Sequence, residues 1–154
     1  MACLFKVSEA STLALHTMVF LGTQPGCVVS TKDIAARLDA SENHLAKILQ
    51  RLTRAGLLSA VRGPKGGFIL ENDTLAVSML RVLEAIEGPL DEGGCLVDKA
   101  VCGDLSSTLS AMLQGLNREA YAYLQGTTLG ELARQCIESH ADDGVGSSIN
   151  VPSS

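Results

Sequence analysis

Tryptophan is absent from this 154-residue chain, and two tyrosines with three phenylalanines bring aromatics to only 3% of it. The core must therefore come from the Leu, Val, Ile, Ala and Met within the 46% of residues that are hydrophobic, a palette that favours helices. Long apolar runs are also missing. The longest, around Met18-Val19-Phe20-Leu21, falls far short of the roughly 20 residues that a membrane span requires. No membrane partner is expected. Lys6 is the only basic residue at the N-terminus, and no small-residue cleavage site follows an apolar stretch, so a signal peptide is not expected and the cytoplasm is the expected location. The five cysteines, an odd number, then read as free thiols, metal ligands or redox sensors and not as a disulfide framework. Catalytic signatures are lacking as well: no Gly-rich phosphate loop at a strand-to-helix junction, no nucleophile elbow and no paired-histidine zinc motif, with His16, His44 and His140 on separate segments. An enzyme is not expected.

The chain is long enough for one compact domain with an appended helical element and too short for two full-sized domains. Its net charge of −5 argues against indiscriminate coating of nucleic acid. Residues 30–66 run against that balance. There Lys32, Arg37, Lys47, Arg51, Arg54, Arg62 and Lys65 oppose Asp33, Asp39 and Glu42, a local excess of four positive charges that leaves nine net negative charges on the rest. A basic segment inside an acidic chain is the footprint of a module that meets phosphates.

Periodicity places the elements. Ala10, Leu13, Ala14, Met18 and Leu21 form one stripe of a helix over residues 8–21, closed by Gly22, Pro25 and Gly26. Ser30 and Asp33 nearly match a capping box for a short second helix that buries Ile34, Ala35 and Leu38. After the Asp39-Ala40 turn, Ser41 is placed to cap a third helix with the stripe Leu45, Ile48, Leu49 and Leu52, ending at Gly56. Two short helices about a tight turn are a helix-turn-helix signature. Strands over residues 57–61 and 68–70, around Arg62-Gly63-Pro64-Lys65-Gly66-Gly67, predict a hairpin directly behind it.

A further helix is expected over residues 76–87, with Met79, Leu80, Leu83 and Ile86 inward. The Gly-rich acidic loop 90–103 follows and holds Cys95 and Cys102. Asp104 can cap a long helix whose apolar positions Leu105, Leu109, Met112, Leu116, Ala120 and Tyr123 are spaced to meet a partner helix. Thr128 and Glu131 form a capping box for a last helix to about residue 139, and the polar tail 141–154 is expected to be disordered. Cys27 and Cys136 read as core residues.

Helix-turn-helix plus basic hairpin is the order of a winged helix, whose third helix enters the major groove while the wing tip lies on backbone or minor groove. Ser41, Glu42, Asn43, His44 and Lys47 lie in the first two turns of that helix, away from its apolar stripe. Asn43 suits adenine edges, Ser41 a base or phosphate, and Lys47 with Arg51 phosphates or guanine. His44 reads equally as a base contact or as a residue packed on a neighbouring helix. Lys32 joins the basic face, and in the wing Arg62 and Lys65 flank glycines, Gly66 among them, that allow close approach to DNA.

Ile34-Ala35 through Ser41-x-x-His44-Leu45-x-x-Ile48-Leu49-x-x-Leu52-x-x-Ala55-Gly56-Leu57-Leu58, followed by Val61-Arg62-Gly63-Pro64-Lys65-Gly66-Gly67-Phe68-x-Leu70, resembles the Rrf-two (Rrf2) family of bacterial regulators, the IscR/NsrR/CymR group. Ala85-Ile86-Glu87-Gly88, the cysteine loop and Thr128-Leu129-Gly130-Glu131-Leu132 extend the resemblance over about residues 5–137. It implies a homodimer held by the long helix 104–125, with two winged heads on adjacent major grooves of double-stranded DNA. It also implies a sensor. Cluster-binding members place three cysteines and a fourth, non-cysteine ligand around the loop, whereas Cys95 and Cys102 alone stand there in this chain. Three readings stay open: an iron–sulfur cluster (2Fe–2S or 4Fe–4S) completed by Asp91, Glu92, Asp98, Asp104, Cys3, Cys27 or another chain; a Cys95–Cys102 disulfide switch; or a cluster-free loop.

The expected fold is thus mainly α with a small β-hairpin: a winged helix-turn-helix over 1–75, a linker helix, cysteine loop and dimerisation helices over 76–140, and the tail. The expected function is sequence-specific DNA-binding regulation, with repression as the expected sign. The alternative is a cluster-free regulator or interaction module controlled by a metabolic enzyme, as the resemblance implies for some members.

Overall fold

The computed structural model describes residues 7–92 and 107–143. Cys95, Cys102, Asp104 and Leu105 therefore lie outside the described residues, as do 144–154, and of Leu109 only the helical backbone is described.

Helix α1, Glu9–Gly22, starts where extended Ser8 accepts the Ser11 amide on its hydroxyl at 3.1 Å. Helix α2, Thr31–Leu38, starts on the expected box: the Asp33 N–H donates to Ser30 Oγ at 3.1 Å, and the Ser30 hydroxyl donates to Asp33 Oδ2 at 2.6 Å. Asp39 then turns with a φ of 50°, and α3 runs Glu42–Arg54. Its end is a Schellman motif, with the Leu57 amide reaching the Leu52 carbonyl and the Gly56 amide the Thr53 carbonyl, both at 3.0 Å. Gly56 stands between them at a φ of 73°, which a side chain would strain.

The hairpin is shorter than expected: β1 is Ser59–Val61 and β2 is Gly67–Ile69, antiparallel, with Ala60 opposite Phe68. Leu57, Leu58 and Leu70 are instead buried in the core beside it. A 3-10 turn, Asn72–Ala76, precedes α4, Met79–Glu87, so α4 begins three residues later than expected from periodicity. The reason is tertiary. The start of the last helix holds Val77 and Ser78 extended through Leu129 N–H to Val77 O and Met79 N–H to Thr127 O, both 2.9 Å.

The long helix α5 is Ser107–Gly126, and α6 is Leu129–Asp143. Thr128 and Glu131 close the capping box in both directions, Thr128 N–H to Glu131 Oε2 at 2.8 Å and Glu131 N–H to Thr128 Oγ1 at 3.3 Å. The Thr128 amide, followed by its hydroxyl, holds the Glu131 carboxyl below its ordinary value. Helix α6 outruns its expected end, because no breaker stands before Gly144, and residues 141–143 expected in a disordered tail are helical.

One core joins these parts. Met18 and Leu21 of α1, Ile34 of α2, Leu45, Ile48, Leu49 and Leu52 of α3, Val82 of α4 and Leu129 of α6 are all essentially inaccessible within it. Each such aliphatic side chain stabilises the fold by about 1.5–3 kcal/mol relative to an exposed one. Helix α1 is the centre, packed on α2, α3, α4 and α6, and at Gly22 an added Cβ would lie 3.2 Å from that of Ala133. Cys27 departs from its expected core position: it is exposed in the α1–α2 connection, while Cys136 is half-buried.

Candidate nucleic-acid interface

Burial of one stripe of α3 decides what its other face can do. With Leu45, Ile48, Leu49 and Leu52 turned into the core, Asn43 and Lys47 are left exposed on the opposite side, and Ser41 and Glu42 are exposed at the N-terminal end of the helix. Ser41 occupies the N-cap position, yet its hydroxyl makes no cap bond, contrary to the expected capping role. A hydroxyl at that helix end that makes no cap bond is open to an external acceptor or donor. Lys32 is exposed in the first turn of α2.

Two of the expected readers have partners inside the chain. His44 Nδ1 lies 4.0 Å from Glu9 Oε1 on α1, with 39% of the imidazole side chain exposed, so it leans on the neighbouring helix. Arg51, one turn beyond Lys47, donates from Nη1 to the Ile86 carbonyl at 3.2 Å, at the end of α4. Its guanidinium also helps hold Glu87 ionised.

The wing is stapled to the head by backbone. Val29, in the α1–α2 connection, exchanges two 2.9 Å hydrogen bonds with Phe68, and the Gly26 amide donates to the Leu70 carbonyl at 2.9 Å. That bridge leaves no room for a side chain at Gly67, whose Cβ would lie 2.2 Å from the Val29 carbonyl oxygen, and the turn of the hairpin itself leaves none at Gly66, whose Cβ would lie 2.3 Å from the Val61 carbonyl oxygen. The Gly66-Gly67 pair is therefore required by the close packing of three backbone segments, and Arg62 and Lys65 are exposed at the tip it creates. The sequence reading assigned those glycines to DNA approach and missed the staple.

A family comparison then decides the class. The Rrf2 family, described as iron-dependent transcriptional regulators, matches residues 7–135. The chain belongs to the Rrf2 family and is a DNA-binding transcriptional regulator. Among relatives of the regulator, the HTH-type transcriptional regulator IscR of Cereibacter sphaeroides is 30% identical over 110 residues, covering 70% of this chain and 71% of that protein. IscR of Klebsiella pneumoniae is 31% identical over 104 residues, covering 68% and 64%. Among solved structures, CymR of B. subtilis, the global cysteine regulator, superposes with a TM-score of 0.73 at 26% identity over 86% of this chain and 98% of that one. IscR of T. potens superposes with a TM-score of 0.69 at 27% identity over 88% and 90%. The membership points away from an enzyme. Among the described residues, no helix is long and apolar enough to cross a membrane.

Beyond the expected residues, the structure builds a polar junction that no motif announced. Ser8 Oγ and Ser11 Oγ both donate to Glu87 Oε1, joining the first turn of α1 to the last of α4. These hydroxyls, Ser11 first, then Ser8 and the charge of Arg51, outweigh partial burial and hold the Glu87 carboxyl below its ordinary value. Downstream, Asn117 Nδ2 of α5 donates to the Asp91 and Glu92 carbonyls, each at 3.0 Å, and Arg118 Nε lies 4.0 Å from Glu92 Oε1. The start of the cysteine loop is thereby tied to the long helix.

Proposed function

We propose that the regulator is a homodimeric repressor that reads its operator with α3 and grips the flanking backbone with the wing. The observation that carries this is the exposed set Ser41, Glu42, Asn43 and Lys47, which spans the N-terminal end of α3 and the side opposite its fully buried stripe. In the complex, Asn43 faces an adenine edge, Glu42 accepts from a cytosine amine, and Ser41, Lys47 and Lys32 engage phosphates or bases. Arg62 and Lys65, with Gly66 behind them, follow the backbone or minor groove. His44 supports this surface from its place beside Glu9. The dimer forms along α5, where Met112 and Tyr123 are 55% and 72% exposed in the single chain, with Ala120 exposed and Leu116 half-buried on the same stripe. Leu105 and Leu109 extend the seam by sequence spacing. The head over 1–75 and the dimerisation part over 76–140 divide these two tasks. The cytoplasm is where such a regulator meets DNA.

The loop 90–103 is the proposed sensor, on sequence grounds, since Cys95 and Cys102 lie outside the described residues. An iron–sulfur cluster needs about four ligands, largely thiolates. Two loop thiols fall short of that set, and among the described residues no three His, Cys, Asp or Glu side chains gather to complete it. A cluster there would need ligands beyond these two thiols, from this chain or from a second one. The donor chemistry favours a dithiol pair that closes a disulfide on oxidation. Titrating a selected operator duplex across a salt series, with reduced and oxidised protein and with Cys95→Ser, tests both parts. Base-specific binding with an oxidation response lost in the variant supports them. Loss of discrimination between operator and random duplex overturns the reading head, and brown protein with iron overturns the dithiol. Affinity that changes only when an enzyme copurifies favours the partner reading instead.

A further inference from the structure

We propose that Arg51 and Glu87 are positioning residues, which lock the C-terminal half of α3 to the end of α4 and the start of α1 and so set how the recognition surface is presented to DNA. The proposal deepens the reading above and rests on α3 being the helix that meets the operator. Three elements converge at one point. Arg51 leaves α3 and donates to the last-turn carbonyl of Ile86 in α4 at 3.2 Å. The next residue, Glu87, takes both the Ser8 and the Ser11 hydroxyl from the first turn of α1, where Ser11 is fully buried. Favourable charge is placed at both helix ends: a guanidinium at the C-terminus of α4 and a carboxylate at the N-terminus of α1. The apolar stripe of α3 holds it on the core through non-directional contacts. A directional bond from Arg51 to a fixed carbonyl resists a slide along the helix axis. The junction also ends at Gly88, where the chain leaves for the cysteine loop, so any displacement of that exit acts directly on α3.

Arg51 is basic and exposed, so it has a rival role as a phosphate contact, and Glu87 separates the two. A carboxylate repels DNA. If its role were only electrostatic, Glu87→Gln would tighten binding. As a positioning group it does the reverse, because glutamine keeps an acceptor for Ser8 and Ser11 and loses only the charge that faces Arg51.

The experiment measures affinity of the full-length protein for a selected operator and for a random duplex, across a salt series, for Arg51→Met, Glu87→Gln and the double variant. Asn43→Ala and Lys47→Ala report on α3, and melting temperature reports on the fold. The expected result is an operator affinity about tenfold weaker in each single variant and no weaker again in the double. Random-duplex affinity and salt slope should stay unchanged, melting temperature should fall only slightly, and Arg51→Lys should recover part of the loss. A structural role alone would shift melting without changing the operator-to-random ratio, and that result overturns the proposal. So does a salt slope reduced by about one unit in Arg51→Met with Glu87→Gln unchanged or tighter, the mark of a phosphate contact. If Asn43→Ala and Lys47→Ala leave the operator affinity untouched, α3 is not the reader and the proposal falls with that reading. If they weaken it while Glu87→Gln does not, the proposal falls alone.

Discussion

Replacing Gly67 by alanine would put a Cβ 2.2 Å from the Val29 carbonyl oxygen, 2.6 Å from its carbon and 3.0 Å from the Ser30 Cα. All three are backbone atoms, so no rotamer change relieves the clash and the strands must part. The bonds at stake are the two 2.9 Å exchanges between Val29 and Phe68. At about 0.5–1.5 kcal/mol net each, their loss costs roughly 1–3 kcal/mol. Alanine offsets about 0.4–1 kcal/mol of this by restricting the unfolded chain, leaving a destabilisation of at most about 2.6 kcal/mol. The core beneath is untouched, so the protein still folds. The wing, freed from the α1–α2 connection, no longer holds Arg62 and Lys65 in place, and operator affinity should fall more than stability does. Urea unfolding gives the first quantity, operator titration at fixed salt the second, and amide exchange at Val29 and Phe68 locates the change. Wild-type unfolding together with unchanged exchange at those two amides would refute the reasoning.

Arg62→Ala should weaken binding to operator and random duplex alike and lower the salt slope by about one unit, and an unchanged slope would remove the wing tip from the interface. Leu116→Asp places a charge in the middle of the α5 stripe, which a partner helix cannot bury without a large penalty, so sedimentation should show a monomer; a persistent dimer would put the seam elsewhere. Glu87 has a folded-state pKa below its ordinary value of 4.5, so the stability it contributes is present above that value and lost as pH falls through the folded one. The difference in urea midpoint between wild type and Glu87→Gln should therefore be full at neutral pH and close below the ordinary carboxylate range. A gap that widens on acidification would contradict the assignment.

Local physics explains which parts of this protein can be read along the chain. The Ser30/Asp33 and Thr128/Glu131 boxes, the Gly56 helix stop and the Leu45/Ile48/Leu49/Leu52 stripe depend on partners three or four residues away, a separation that a helix fixes by itself. Those features stand as expected, and the exposed face of α3 follows from the stripe because a helix has only one other side. What the tertiary structure decided rests on partners far apart in sequence: Arg51 with Ile86, 35 residues on, and Ser8 with Glu87, 79 residues on. No periodicity encodes those distances. The delayed start of α4, set by backbone bonds from the beginning of α6, is of the same kind, as is the demand for glycine at position 67, set by Val29. The apolar neighbours of Cys27 suggest a core position, but the turn that carries it faces outward, and which way a turn faces is settled only when the wing strand pairs beside it. Residue chemistry along the chain thus determined the elements and the class of molecule they form. Only packing determined which charged side chains are free to meet DNA and which are held inside the protein, because that depends on the neighbours folding brings within hydrogen-bond reach.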